Sequence, residues 1–573
     1  MTGKIVLLLA LFWPCQSESD RPAPFDVVIN ELMVRPTPSA GLPEAEYIEL
    51  FNRSQSPVSL KEWSIHVGNR SKKLTDRLLL PGSYLLLTHE KNSHLLSEFG
   101  EVEGLPGFPV LAMGGQTVVL KDEKGNVISA VDYSDTWYGS SLKASGGFSL
   151  EQIDPFNPCG GKENWTASAN YAGGTPNQQN SVYKNNPDNS PPLLVRGSIQ
   201  PTGSVRLHFN KPMHPLSGWS PKDYLIDDHG EPVSVVPLEP LFYEVDMWFS
   251  NAFEKEKDYL LHIQGALYDC AFNYLDKKNA RVRIAIPGQP EKNDVLINEV
   301  LFNPYPGGVN FVELYNNSHK TIDLKHLVLA GMAEGIPDPA YIISPGGYLL
   351  FPGNFVVLTT DPATVKSQYY ARDPLPFVTM ERMPRMNNQS GSIAVTDLQM
   401  NIIDQLEYHE DMHSPVLTDR KGVSLERLNY GRPSADATNW LSASENSGFA
   451  TPGYQNSQFS EIQGNSDNTL TVDPQIFYPD NSGYYDVVNI SYKAGKPGYT
   501  GSLTIYNSRG RPVRRLIRNE LLGTSGTYSW DGRDDYNGRS RPGIYLIFLE
   551  MFHPDGGVHK HKKAVVLGGR YKR

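Results

Sequence analysis

Tyr47-Ile48-Glu49-Leu50-Phe51-Asn52 and Phe311-Val312-Glu313-Leu314-Tyr315-Asn316 are one phrase written twice. Each is a short run of β-branched and aromatic residues, the composition of a strand. The phrases around them recur in the same order. Val28-Ile29-Asn30-Glu31 returns as Leu296-Ile297-Asn298-Glu299, and Pro81-Gly82-Ser83-Tyr84 as Pro352-Gly353-Asn354-Phe355. Gly147-Phe148-Ser149-Leu150-Glu151 returns as Gly422-Val423-Ser424-Leu425-Glu426, Asn164-Trp165 as Asn439-Trp440, and Thr175-Pro176 with Asn180-Ser181 as Thr451-Pro452 with Asn456-Ser457. The offset drifts only from 264 to 276, which loop insertions explain, so one domain occurs twice, at 25–182 and 292–458.

Turn clusters such as Asp122-Glu123-Lys124-Gly125-Asn126 bound the strand phrases. No stretch of a dozen residues keeps a helical period. Short, evenly punctuated strands predict antiparallel sandwiches and an all-β chain. Composition agrees: of 573 residues 50 are Gly, 44 Pro and 30 Tyr, a mixture for strands joined by many turns. The 39% of apolar residues suffices for a core in each domain. A net charge of −11 argues against unspecific nucleic-acid binding, which needs Lys and Arg to neutralise phosphates.

Lys4 followed by the apolar run Ile5 to Trp13 and the polar Gln16 to Asp20 reads as a signal peptide over 1–20. No later run is long enough to span a bilayer. The chain is therefore expected to be secreted or held on the outer cell surface, with a lipid anchor at Cys15 as the less favoured route. Cys159 and Cys270 lie far apart in sequence and in different domains. Two free buried thiols are expected rather than a disulfide.

The copies resemble the lamin tail domain, an immunoglobulin-like β-sandwich, through the ordered motifs above and the Trp63 strand. The second copy has Leu327 near the place of Trp63, so its core should be packed differently. Residues 190–288, with Phe209-Asn210-Lys211-Pro212-Met213 and Asp269 ahead of Asn273, resemble the bacterial Ig-like domain of S-layer proteins. Residues 469–573, with Trp530-Asp531-Gly532 and Gly543-Ile544-Tyr545, resemble the FlgD-like Ig module and the C-terminal sorting domain of type IX secretion substrates in Bacteroidota. The resemblance implies a string of immunoglobulin-like β-sandwich domains. The Ser/Asn/Gly-rich run from Ser457 to Asn468 reads as a linker that isolates the last module, whose basic tail (Lys560 to Lys563, Arg570, Lys572, Arg573) suits recognition by export machinery.

Few residues suggest chemistry. His409-Glu410-Asp411-Met412-His413 matches the zinc-protease pattern His-Glu-x-x-His, which requires both histidines on one helix face. The preceding strand phrase and Pro415 predict a strand-to-loop junction instead. His559 and His561 read as a solvated basic hairpin edge, and Asp531, Asp534 and Asp535 lack the EF-hand order. Glu49 and Glu313 are expected to face solvent on alternating strands, a surface ligand site being the other reading. No catalytic, cofactor or metal residue is assigned. The expected function is non-enzymatic adhesion, scaffolding or ligand presentation toward a surface protein or glycan. The alternatives are an accessory or anchoring subunit of a secreted hydrolase, or an unrecognised secreted hydrolase.

Overall fold

A computed structural model describes residues 22–371, 376–461, 468–480 and 482–569. The signal peptide reading, Cys15 and the last basic residues from Arg570 onward lie outside these. The described chain is all-β, and it forms two compact units, Met1–Phe253 with Asp258–Ile284, and Glu254–Lys257 with Ala285–Arg573.

In the first unit a six-stranded sheet runs in the order Trp165–Ala167, Leu150–Gln152, Val27–Met33, Tyr47–Asn52, Tyr84–His89, Val102–Leu105. A four-stranded sheet, Val127–Ser134, Gly115–Lys121, Ser64–Val67, Arg70–Lys73, packs against it. The second unit repeats both. Trp440–Ser442, Leu425–Arg427, Val295–Leu301, Phe311–Asn316, Phe355–Thr359 and Phe377–Thr379 form the six-stranded sheet. Ile402–His409, Ser390–Asp397, Leu327–Ala333 and Ile336–Ile342 form the four-stranded one. Trp165 pairs with Gln152 as Trp440 pairs with Arg427, so the two tryptophans are equivalent.

The bulge in the first strand is also shared. Register slips between Ile29 and Glu31, and again between Ile297 and Glu299. The extra residue is Asn30 or Asn298. It shifts the inward phase, so that Val27 and Ile29, then Leu32 and Val34, enter one core. Glu31 thereby comes to the opposite face, beside Glu49 on the next strand.

The second core does differ. Leu327 is buried where Trp63 is buried in the first copy; both follow a turn and hydrogen-bond back three residues, Trp63 N to Leu60 O and Leu327 N to Leu324 O. Bulk is restored by Phe302 at the place of Val34, its ring stacked on Tyr408 at 4.5 Å. A buried ion pair replaces neutral groups. Asp404 stands where Ser129 stands, each accepting from the backbone N–H of Ile297 or Ile29, and Arg427 replaces Gln152. Arg427 donates to Asp404 at 2.9 Å and to Ile297 O at 2.7 Å, and Ser434 bonds to both charged side chains. These bonds satisfy a guanidinium that would otherwise be costly to bury.

Residues Leu194–Ile199, Val205–Phe209, Glu244–Trp248 and Ser234–Pro237 form one sheet of the segment after the first sandwich, and Tyr224–Ile226, Asp258–Ile263 and Arg281–Ala285 another. Cys159 and Cys270 are joined in a disulfide, with Cα atoms 5.9 Å apart across 111 residues. The expectation of two free thiols is therefore wrong. Distance in sequence misled because the turn Asp269-Cys270-Ala271 docks against the loop carrying Cys159, beside Phe25, Val28 and Phe51.

The C-terminal module has a three-stranded sheet (Thr469–Asp473, Val488–Lys493, Ser525–Trp530) and a five-stranded one (Ile476–Phe477, Val558–Leu567, Gly543–Phe552, Thr500–Asn507, Pro512–Leu521). Trp530 closes its core, and its indole N–H donates to Arg533 O at 2.7 Å across the turn at Gly532, where φ is +77°. The linker expected to isolate this module begins as packed chain. Gln458 is fully buried and donates to Leu522 O at 3.0 Å, while Thr524 N donates to Ser457 O at 2.8 Å. Mechanical isolation is contradicted at that end; residues 462–467 lie outside the described chain.

Candidate ligand-binding site

The repeated glutamates, surface groups by strand alternation, are buried in both copies. Glu31, Glu49 and Glu151 are each 0% exposed, as are Glu299, Glu313 and Glu426. The expectation that Glu49 and Glu313 face solvent fails. Alternation does point them away from the sandwich core, but the closing Thr-Pro…Asn-Ser segment crosses that face as a strap. Glu31 accepts from Thr175 N at 2.9 Å, Ser149 Oγ at 2.6 Å and Tyr47 Oη at 2.7 Å. Glu49 accepts from Asn177 N at 2.5 Å and Asn30 Nδ2 at 2.8 Å. Glu151 takes Thr175 Oγ1 at 2.9 Å, Ser181 Oγ at 2.8 Å and Val182 N at 3.1 Å. The second copy repeats this with Thr451 N, Gly453 N and Gln458 N donating to Glu299, Glu313 and Glu426 at 2.8, 2.6 and 2.8 Å.

The motif carboxylates are thus the acceptors that hold a strap whose N–H groups have no strand partner. Burial, then the neighbouring Glu151 charge, raises the Glu31 pKa to about 7. Burial and Glu426 raise that of Glu299 to about 8. Glu299 lacks the tyrosine donor, since Phe311 stands at the place of Tyr47. Glu49 and Glu313 are pushed well above the carboxylate range, first by burial, then by Glu31 and Glu299. Carboxyls hydrogen-bonded on a covered face serve as structure.

The other candidates do not converge on a ligand set among the described residues. His409 ends a strand, residues Glu410–Met412 form a single 3₁₀ turn, and His413 follows in extended conformation. Exposed His409 pairs with Asp411 at 3.2 Å. Buried His413 shares a 2.8 Å hydrogen bond with Ser442 Oγ and lies against Phe302; burial, then Arg420, lowers its pKa to about 4. The two rings do not share a helix face. Asp531 pairs with Arg533 and Asp535 with Arg515, while Asp534 accepts the N–H groups of Tyr536 and Gly538. His559 stands edge-on to Tyr499. Among the described residues no group of three or more His, Cys, Asp or Glu could hold a metal ion.

One site was missed by sequence reasoning. On the second sandwich Tyr315 and Phe355 from adjacent strands meet Tyr430 and Phe459 from the segments after Arg427 and the strap. Tyr315 stacks on Tyr430 at 3.9 Å and 17°, Tyr430 meets Phe459 at 4.4 Å, and Tyr315 meets Phe355 at 5.1 Å. The rings are half-buried and line an open pocket of about 400 Å³. Gln455 and Glu461 stand exposed at its rim. Gly353, at φ +73°, leaves the space beside it open. The Tyr430 hydroxyl is buried without a hydrogen-bond partner among the described residues, and burial raises its pKa.

The same face of the first copy is closed. There Phe51 stacks on Tyr84 at 4.7 Å, but Pro155 takes the place of Tyr430, and Phe51 packs with Phe25 and Cys270. The repeat thus presents one covered and one open version of a single surface. The signal was the departure of one copy from the other at Pro155 and Tyr430.

Comparison with known proteins finds a family match over part of each copy. The lamin tail domain family matches residues 21–135 and 288–410, stopping in each copy before the Ser-Leu-Glu strand and the strap. No curated protein matches the chain. Among solved structures, FlgD from P. aeruginosa is 20% identical over 14% of this chain and 62% of that one, with a TM-score of 0.12. The chain therefore spans under two thirds of FlgD. The S-layer protein rSbsC(31–844) is 9% identical over 66% of this chain and 54% of its own, with a TM-score of 0.16. A DUF4876 family protein from Bacteroides thetaiotaomicron is 12% identical over 33% and 78%, with a TM-score of 0.17.

Proposed function

We propose that the protein is a non-enzymatic, exported surface protein whose second lamin tail sandwich presents a saccharide-binding site. The observation that carries this is the open aromatic pocket of Tyr315, Phe355, Tyr430 and Phe459. Stacked rings offer a flat apolar face to the C–H side of a sugar, and the exposed Gln455 amide and Glu461 carboxylate supply donors and acceptors for its hydroxyls. Two facts support the non-enzymatic reading. The glutamates of the repeat are spent on the strap, and the zinc-protease motif lies on a strand end with its histidines apart. The disulfide supports an oxidising compartment, in line with the signal peptide reading.

In this reading the C-terminal module takes part in export or attachment. It stays packed on the second sandwich rather than hanging from a free linker. The test of the binding site is an oligosaccharide array probed with the purified mature chain and with Tyr430→Ala. Wild type should bind one related group of saccharides, and the variant should lose roughly tenfold or more in affinity, the worth of one or two stacked rings. No saccharide bound by the wild type, or equal binding by the variant, defeats the proposal.

A further inference from the structure

Residues 469–573 hold 16 Lys and Arg against 9 Asp and Glu, a net charge of +7, while the 468 residues before them carry −18. Four of these arginines line one cleft. The turn Asn507 to Pro512 and the loop Asp531 to Tyr545 enclose about 750 Å³, lined by Arg509, Arg515, Arg539 and Arg541. The loop is fixed against the adjoining strand. Asp535 N donates to Val513 O at 2.9 Å, Arg514 to Asp534 O at 2.9 Å, and Tyr545 Oη to Arg541 O at 2.6 Å.

The acids in the cleft are already spent. Asp534 accepts Tyr536 N at 3.0 Å and Gly538 N at 2.7 Å, and Asp535 takes Arg515 N at 2.8 Å and its guanidinium at 3.5 Å. Arg509, Arg539 and Arg541 are exposed and enter no ion pair among the described residues. Tyr536 stands 94% exposed on the rim. Three guanidiniums without an ion-pair partner among the described residues, Arg509 on the turn and Arg539 and Arg541 on the hydrogen-bonded loop, stand beside one exposed aromatic ring in an otherwise acidic protein, a donor set suited to an anion.

We infer that this cleft binds an acidic polysaccharide, its sulfate or carboxylate groups held by Arg509, Arg539 and Arg541 and a sugar ring against Tyr536. The choice of a glycan over a nucleic acid rests on the exported reading given above; the binding itself does not use the aromatic pocket. The guanidinium fork matches planar or tetrahedral oxyanions in pairs, which a point charge cannot do.

The test uses the full chain with dextran sulfate, uncharged dextran of equal length and short single-stranded DNA as probes. Dextran sulfate should bind, dextran should not, and DNA should bind at least about tenfold more weakly than dextran sulfate. The triple variant Arg509→Ala, Arg539→Ala, Arg541→Ala should lose about tenfold or more and show a shallower salt dependence by roughly one counterion per arginine removed. Replacing Lys560, Lys562 and Lys563 by Ala should change affinity by no more than about twofold, with an unaltered melting temperature confirming each fold. Equal binding by the triple variant, or DNA bound as tightly as dextran sulfate, overturns the inference. A negative saccharide array leaves it standing, because the two sites share no residue.

Discussion

Cys270→Ser is expected to lower the stability of the first unit by about 2–5 kcal/mol, read as a lower melting temperature that dithiothreitol reproduces in the wild type. The Cys159–Cys270 bridge closes a loop of 111 residues, and closing a long loop removes much freedom from the unfolded chain. Both sulfurs also pack in an apolar cluster with Phe25, Val28 and Phe51, so serine brings a polar group into that contact. The second unit contains neither cysteine, and its melting should not move. Equal melting of oxidised and reduced protein would show that the bridge contributes nothing.

Replacing a strap carboxylate should cost about as much, and the cost should depend on pH. Glu49→Ala strands two donors, Asn30 Nδ2 and Asn177 N, and opens a cavity. Each stranded donor costs about 1–3 kcal/mol, so a loss of several kcal/mol is expected near pH 5. The carboxyls of Glu31 and Glu299 hold their protons up to about pH 7 and about pH 8 in the folded chain, against 4.5 ordinarily. A folded pKa raised in this way adds stability at low pH, and that contribution is lost as pH rises from about 4.5 through about 7–8. The wild type should therefore melt lower at pH 8.5 than at pH 5. Glu49→Ala and Glu313→Ala each remove one of the crowded carboxylates, so their deficit should shrink at pH 8.5. A deficit independent of pH would show that the acids do not titrate together.

Much of this fold is legible in the sequence because it is local and repeated. The strand phrases, their order and the equivalence of Trp165 and Trp440 follow from ordered motifs. So does the substitution of Leu327 for Trp63, although the compensation by Phe302 depends on packing across the sandwich. What escaped the sequence was covered or assembled by chain arriving from far away. Glu49 alternates outward as a solvent-facing residue would, and only the strap at Thr175 to Val182 makes it buried. The disulfide needs the docking of two segments. Gln458 looked like linker composition but fills a site beside Leu522. The aromatic pocket draws Tyr315, Phe355, Tyr430 and Phe459 from four separate stretches, and no single window shows it.

The strap account is tested most directly by amide hydrogen exchange at Thr175, Asn177 and Val182, with Thr451, Gly453 and Gln458 as the matching set. These six N–H groups donate to the buried glutamates. Corrected for intrinsic rates, they should be protected at pH 5 as strongly as neighbouring sheet amides, and the protection should fall toward pH 9 while that of Leu50 and Leu314 persists. Exchange at unprotected rates already at pH 5 would mean that the glutamates do not hold the strap.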